Sequence, residues 1–103
     1  MKFNFNKNIL SLSGEELKDE KENPINLGKF LANQLVSASK GDAMKMSDLA
    51  QRLWKGEEVE IDRSDRKMLE DFIKEAATMN ILVKGQLLDV LEKGEDTTVK
   101  SEK

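Results

Sequence analysis

The chain has 103 residues and a net charge of −3, with 36% charged and 38% apolar residues. It contains no Cys, His or Tyr, which excludes disulfides, thiolate and imidazole catalysis, and the common zinc and iron–sulfur ligand sets. A chain of this length must build its core before it can shape a pocket from the remaining carboxylates, lysines, arginines and hydroxyls. The composition therefore favours binding, and we expect a protein that is not an enzyme, with no cofactor and no small-molecule substrate.

Residues 2–18 have the pattern of a β-hairpin. Two phenylalanines alternate with asparagines, as in a half-buried strand, and the Ser-Gly dipeptide at 13–14 is typical of a turn. A rival interpretation is a helix that starts with the capping-box pattern over 13–16 and runs to residue 22. Leu17 alone could anchor that helix to a core, so we prefer the hairpin.

Four helices are predicted from apolar residues that recur every three or four positions. Their expected ranges are 27–40, 43–55, 63–78 and 81–93. Each range follows a residue that can cap a helix N-terminus, and these residues are Asn26, Asp42, Asp62 and Asn80. The acidic segment 57–61 between the second and third helices is either an extended link or one more strand on the hairpin.

The last predicted helix, 81–93, is apolar around more than one face. Such a helix is usually surrounded by neighbours or contacts a partner. Gly85 in its middle costs about 1 kcal/mol relative to Ala. We therefore expect another helix backbone to approach Gly85 closely.

Together these elements predict a mainly helical α+β fold, in which an N-terminal β-hairpin packs with about four short helices. Residues 1–94 are expected to form a single compact domain, without an internal repeat. The polar segment 95–103 is expected to be a disordered tail.

Short matches to catalytic and metal-binding motifs fail on their context. Residues 37–40 fit the S-x-x-K nucleophile motif but lie at a helix end, and its partner motifs are absent. A calcium loop counted from Asp62 would need Gly at its sixth position and Glu at its twelfth, where the chain has Lys67 and Ile73. We therefore predict no catalytic residue, no cofactor site and no metal site.

The side chains predicted to bind a partner form an apolar set and an acidic rim. The apolar contacts are Trp54, Leu87 and Leu91, and the rim is Glu57, Glu58 and Glu60. An acidic rim would favour a basic partner surface and speed association with it. Trp54 has two interpretations, a core residue or an exposed anchor, and the core position is preferred.

The alternative function is a small DNA-binding or transcriptional regulator that uses the helix at 43–55. That helix carries Lys45, Arg52 and Lys55, but Asp48 lies among them and the whole chain is acidic. Binding to phosphates needs a basic stripe. We therefore do not expect nucleic acid to be the main partner.

Several stretches carry a resemblance to a known group: LGKFLANQL, the K-G-D turn, the W-x-G-E helix end and the D-x-x-D cap. They lie at 27–35, 40–42, 54–57 and 62–65. The chain resembles small uncharacterised proteins encoded by bacteriophages and prophages. The resemblance implies a phage-type accessory protein at work inside a bacterium, and it supplies no catalytic residues.

The expected function is non-enzymatic protein–protein interaction of phage type, as an assembly chaperone, an adaptor or an inhibitor of a host factor. The partner would be another protein or a second copy of the chain, as a homodimer. The start of the chain, MKFNFNKNIL, lacks the apolar segment of a secretory signal, and no run approaches the ~20 apolar residues of a membrane span. We expect no membrane association and a location in the bacterial cytoplasm.

Overall fold

A computed structural model describes residues 1–38 and 41–94. Its elements in chain order are β1 (Lys2–Phe3), α1 (Leu27–Ser37), α2 (Ala43–Trp54), β2 (Val59–Glu60), α3 (Arg63–Glu75) and α4 (Ile81–Glu92). The predicted fold class, mainly helical with antiparallel β structure at the N-terminus, is confirmed. The predicted tail at 95–103 and residues 39–40 lie outside the described residues.

All four helices begin where their capping residues predict. Each cap side chain accepts a hydrogen bond from the backbone N–H three residues further on. These bonds are Lys29 N to Asn26 (3.0 Å), Lys45 N to Asp42 (3.2 Å), Asp65 N to Asp62 (2.8 Å) and Val83 N to Asn80 (3.0 Å). The predicted C-terminal ends are less accurate, because α1 ends at Ser37 and α3 at Glu75.

The N-terminal hairpin forms locally and then continues into a second one. Leu10 lies opposite Glu16 and Lys18 lies opposite Pro24, both antiparallel. The rival helix over 13–22 is therefore not formed. The predicted turn at 13–14 belongs to the first hairpin, and Gly14 takes a φ of 90° there.

Three backbone hydrogen bonds close this region into a ring. Ile9 N donates to Ile25 O (2.8 Å), Ile25 N donates to Leu17 O (2.9 Å), and Leu17 N donates to Ile9 O (2.8 Å). The three residues are eight positions apart, so the segment is a structural repeat that the sequence analysis missed. The ring leads directly to Asn26, which caps α1, and so fixes where that helix begins.

The two turns of the repeat have equivalent geometry. Ser11 N donates to Glu15 O (2.8 Å), and eight residues later Asp19 N donates to Asn23 O (2.9 Å). Gly14 and Glu22 occupy matching positions, and Glu22 has a φ of 66°. A side chain in this left-handed region costs roughly 1–2 kcal/mol, so the second turn carries strain that the first avoids.

Strand β1 pairs with β2 rather than with the hairpin. Lys2 lies opposite Glu60 and Phe3 lies opposite Val59. Ile61 N also donates to Met1 O at 2.9 Å. Segment 57–61 therefore contains a strand, but this strand pairs with β1 and is not added to the hairpin bridges at residues 10–24. It ties the N-terminus to the connection between α2 and α3.

One apolar cluster joins the N-terminal segment to every helix. Its largest fully buried side chains are Phe3, Phe5, Ile9, Leu27, Leu31, Leu53, Val59, Leu69, Ile73, Leu87 and Leu91. Within the described residues no polar or charged side chain is fully buried. Burial of apolar surface, at roughly 25 cal/mol per Å², therefore supplies the main driving force for folding.

Helices α1 and α2 pack closely because Gly28 has no side chain. Gly28 N donates to Phe5 O at 3.0 Å. A Cβ atom at Gly28 would lie 3.2 Å from Phe5 O and 3.3 Å from Leu53 O. Backbone from the N-terminal segment, from α1 and from α2 therefore meets at this point.

The expected close approach at Gly85 is wrong. A Cβ atom there would meet no heavy atom within 4 Å outside its own helix turn. Gly94 is the opposite case, because a Cβ atom would overlap the buried ring of Phe3. The packing therefore requires a glycine at position 94, just after α4, but not at position 85 in the middle of the helix.

The two glycines provide a matched pair of substitutions. We expect Gly85→Ala to raise the free energy of unfolding by about 0.5–1 kcal/mol, since Ala is the better helix former. We expect Gly94→Ala to lower it by about 1–3 kcal/mol through overpacking against Phe3. Urea unfolding followed by circular dichroism measures both, and equal effects of the two changes would contradict this packing.

The eight-residue repeat predicts opposite effects at its two turns. Gly14→Ala places a side chain in a left-handed conformation and should destabilise by about 1 kcal/mol, whereas Glu22→Gly should be neutral or stabilising by up to about 1 kcal/mol. Urea unfolding of both variants tests this. Loss of stability in Glu22→Gly as large as in Gly14→Ala would show that the two turns are not equivalent.

Candidate protein-binding groove

Helices α1 and α2 leave a shallow groove between them on the solvent side. Its floor consists of Ala32 and Ala50, which are buried, and its walls are Val36 and Trp54. The opening has a volume of about 330 Å³ and is lined by Ala32, Asn33, Val36, Ala50, Gln51, Trp54 and Lys55. Small residues in the floor create this groove, because a longer side chain at either alanine would fill it.

The groove continues toward the connection between the two helices. A second depression of about 300 Å³ is lined by Leu35, Val36, Ala38, Gly41, Ala43, Met46 and Ser47. Val36 lines both depressions, and we call the two together the α1–α2 groove. Helical spacing accounts for it, since Ala32 and Val36 are four residues apart on α1 and Ser47, Ala50 and Trp54 follow at i, i+3 and i+7 on α2.

Trp54 lies at the surface, so the preferred core position is wrong. Its side chain is 51% exposed, whereas the neighbouring Leu53 is fully buried. Both residues extend the apolar stripe of α2, but successive helical residues are rotated by about 100° and only one of them faces the core. The Lys29 Nζ lies 5.1 Å from the centroid of the Trp54 ring, a cation–π contact that places the ring against α1.

Carboxylates are absent from the described residues that line the α1–α2 groove, although the chain has 20 Asp and Glu. Lys55 lines it, and Lys29 lies over Trp54 at the same end. The groove surface is therefore mainly apolar and positive at the Trp54 end and more polar toward the connection between the two helices, within a chain whose net charge is negative.

Leu87 and Leu91, predicted as partner contacts, are fully buried. They face inward from α4 together with Val83 and Val90. This part of the prediction is wrong because the face of α4 that carries these leucines is covered by the chain itself, although Ile81 on the same helix is exposed. In this structure neither leucine presents a contact surface.

The predicted acidic rim is exposed but does not form one patch around Trp54. Glu57 and Glu58 follow α2 directly and are exposed. Glu60 lies in β2 and lines a different depression, between α2 and α3, with Lys45 and Arg52 among its neighbours.

The structure adds Val36 and Lys29, which the sequence analysis did not select. Val36 is 62% exposed and joins Trp54 along the groove. A signal for Val36 was present in the sequence, since it is an apolar residue outside the buried stripe of α1. The position of Lys29 over Trp54 depends on how two helices pack, which no local pattern contains.

A second exposed apolar surface lies between the first hairpin and α4. Leu10 and Leu12 are exposed there, beside a depression of about 630 Å³ that also contains Lys7 and Asp89. Gln86 anchors the hairpin to α4, because its Oε1 accepts from Leu10 N (3.0 Å) and its Nε2 donates to Leu10 O (2.7 Å). Charges of both signs line this surface, so it shows no preference for a partner's charge.

The basic residues of α2 are largely paired with carboxylates. Lys45 Nζ lies 3.1 Å from Asp65 Oδ1, and Arg52 Nη2 lies 3.2 Å from Asp48 Oδ2. The hydrogen bond with Asp65 raises the pKa of Lys45 above its usual value. Contact with phosphates would compete with these pairs, which weighs against DNA binding through α2.

Over the described residues, no group of three or more acidic side chains is placed to hold a metal ion. No helix in residues 1–38 and 41–94 has both the length and the apolar character needed to cross a membrane. Comparison of the chain with protein families, curated proteins and solved structures finds no match.

Proposed function

We propose that this chain is a non-enzymatic protein-binding module that holds its partner in the α1–α2 groove. The observation that supports this most directly is the exposure of Trp54 and Val36 beside a floor of alanines. A Trp side chain at the surface is typical of the residues that dominate binding energy at protein interfaces. Apolar patches of this kind mark interaction sites on otherwise charged surfaces.

The geometry of Trp54 is suited to binding without a large loss of side-chain entropy. Its ring is positioned by Lys29 and by the wall of the groove before any partner arrives. A side chain that is already ordered loses little freedom on association, and so more of its burial contributes to affinity. Truncation of such a residue commonly weakens binding by about 2 kcal/mol or more.

The resemblance to phage-encoded proteins supplies a setting for this module. In the bacterial cytoplasm it would act as an assembly chaperone or adaptor, or as an inhibitor of a host factor. All of these roles require a surface that recognises another protein and no reactive side chain. The α1–α2 groove is the surface we propose for that recognition.

Site-specific photo-crosslinking in bacteria tests the proposal. A photoreactive amino acid at position 36, inside the groove, should yield a discrete protein adduct. The same amino acid at position 44 is the control, because Met44 is apolar, lies on α2, is 83% exposed and is not among the groove residues. The adduct should also disappear when Trp54→Ala is added to the variant with the photoreactive residue at position 36.

Identical adducts at positions 36 and 44, or no discrete adduct at position 36, would contradict a specific groove. Catalytic turnover by the purified chain that is lost on changing one carboxylate or lysine would contradict the non-enzymatic function.

A further inference from the structure

We infer that the partner segment held in the α1–α2 groove is an amphipathic helix with carboxylates near one end. This inference rests on the proposed function and adds the chemical class of the partner. It combines the mainly hydrocarbon surface at the Trp54 end of the groove, its helical ridges and the sign of its charges.

The polarity of the groove favours a helix over an extended segment. At the Trp54 end the exposed lining is almost entirely hydrocarbon, although Asn33, Gln51 and Lys55 line it together with Ala32, Val36, Ala50 and Trp54. An extended peptide would bring a row of backbone N–H and C=O groups that this surface could not satisfy. A helix satisfies its own backbone groups internally and so can be buried against hydrocarbon.

The shape of the groove also matches a third helix. Side chains at helical spacing on α1 and α2 form two ridges with small residues between them. Ridges of an incoming helix fit such grooves, with apolar residues at i, i+3, i+4 and i+7 as anchors. Trp54 and Val36 would then flank the incoming apolar stripe.

The charges beside the groove indicate which charged side chains the partner helix should carry. Lys29 and Lys55 both lie at the Trp54 end, and no Asp or Glu is among the described lining residues. Carboxylates on the partner would therefore meet two lysines, and the exposed Glu57 and Glu58, which follow α2 directly, are not among the lining residues. Short-range attraction of this kind persists at physiological salt, where the repulsion from the chain's net charge of −3 is screened beyond about 8 Å.

Charge complementarity also separates this occupant from the alternatives. Two copies that paired groove to groove would bring Lys29 and Lys55 of one copy against the same lysines of the other if the grooves ran parallel. If the grooves ran antiparallel, the lysines would meet the opposite end of the other groove, which also has no carboxylate among its described lining residues. An anionic membrane or a nucleic acid would meet two lysines beside an apolar floor, on a chain that is acidic overall. Self-association and membrane binding are therefore outcomes of the test and not the expectation.

The experiment uses two synthetic helical peptides with the same leucine stripe, one with Glu and the other with Lys at its polar positions. Trp54 is the single Trp of the chain, so its fluorescence reports directly on the groove when the peptides lack Trp. At physiological ionic strength we expect the Glu peptide to shift Trp54 emission to the blue with saturation. Its Kd should be at least about tenfold lower than that of the Lys peptide, a difference of ~1.4 kcal/mol.

Matched variants locate the site and the charge effect. Val36→Glu should abolish the shift, whereas Met44→Glu, at an exposed apolar position outside the groove, should leave the Kd unchanged. The double variant Lys29→Gln, Lys55→Gln should bring the two peptides to within about threefold of each other. Circular dichroism of each variant verifies that its helices are intact, and Lys55→Gln alone tests the charge effect if the double variant does not fold.

Several results would overturn the inference. These are no saturable shift with the Glu peptide, equal affinity for both peptides, or retained binding in Val36→Glu. A blue shift that grows with protein concentration alone would indicate a second copy, and a shift with anionic phospholipid vesicles but not with the Glu peptide would indicate a membrane surface. If adducts still form at position 36 while the Glu peptide fails, the protein-binding function stands and the acidic-helix inference falls.

Discussion

The rest of the structure depends on the close approach of α1 to α2 at Gly28. At this position the backbone of the N-terminal segment and the end of α2 both lie within van der Waals distance of where a side chain would begin. This approach sets the separation of the two helices. It therefore decides that Ala32 and Ala50 lie at the floor of a groove and that Lys29 reaches the ring of Trp54.

The N-terminal segment holds this helix pair in place. The hydrogen-bonded ring of Ile9, Leu17 and Ile25 delivers the chain to Asn26. Asn26 accepts from Lys29 N through Oδ1 and donates to Asn6 Oδ1 through Nδ2, both at 3.0 Å. One side chain thus caps α1 and ties it to the segment that contacts Gly28. It therefore joins residues 1–26, about a quarter of the chain, to the surface proposed to bind.

Local pattern accounts for much of the fold and for little of the candidate site. The four helices and their caps follow from the 3.6-residue period and from Asn or Asp before each apolar stripe, both of which are local. The pairing of β1 with β2 joins residues more than fifty positions apart, and the eight-residue repeat is visible in backbone geometry but not in side-chain identity.

The errors in the candidate site have one physical cause. Apolar periodicity in the sequence predicts which face of a helix is apolar. It does not predict whether other parts of the same chain cover that face. On α4 the chain covers Leu87 and Leu91, whereas on α2 it leaves Trp54 half exposed. Glu57 and Glu58 are exposed as expected, and they led us to expect a basic partner. The lysines beside Trp54 instead favour the acidic partner that we infer.

The solvent exposure of Trp54 in the free protein tests the central claim most directly. Acrylamide quenching and the emission maximum of the native chain can be compared with those of the urea-unfolded chain, over a range of protein concentrations. Because Trp54 is half exposed, an open α1–α2 groove predicts emission and quenching that are intermediate between those of a buried Trp and those of the unfolded chain, and independent of concentration. A strongly blue-shifted emission that acrylamide barely quenches would show that Trp54 is covered, and would contradict a groove that is free to receive a partner.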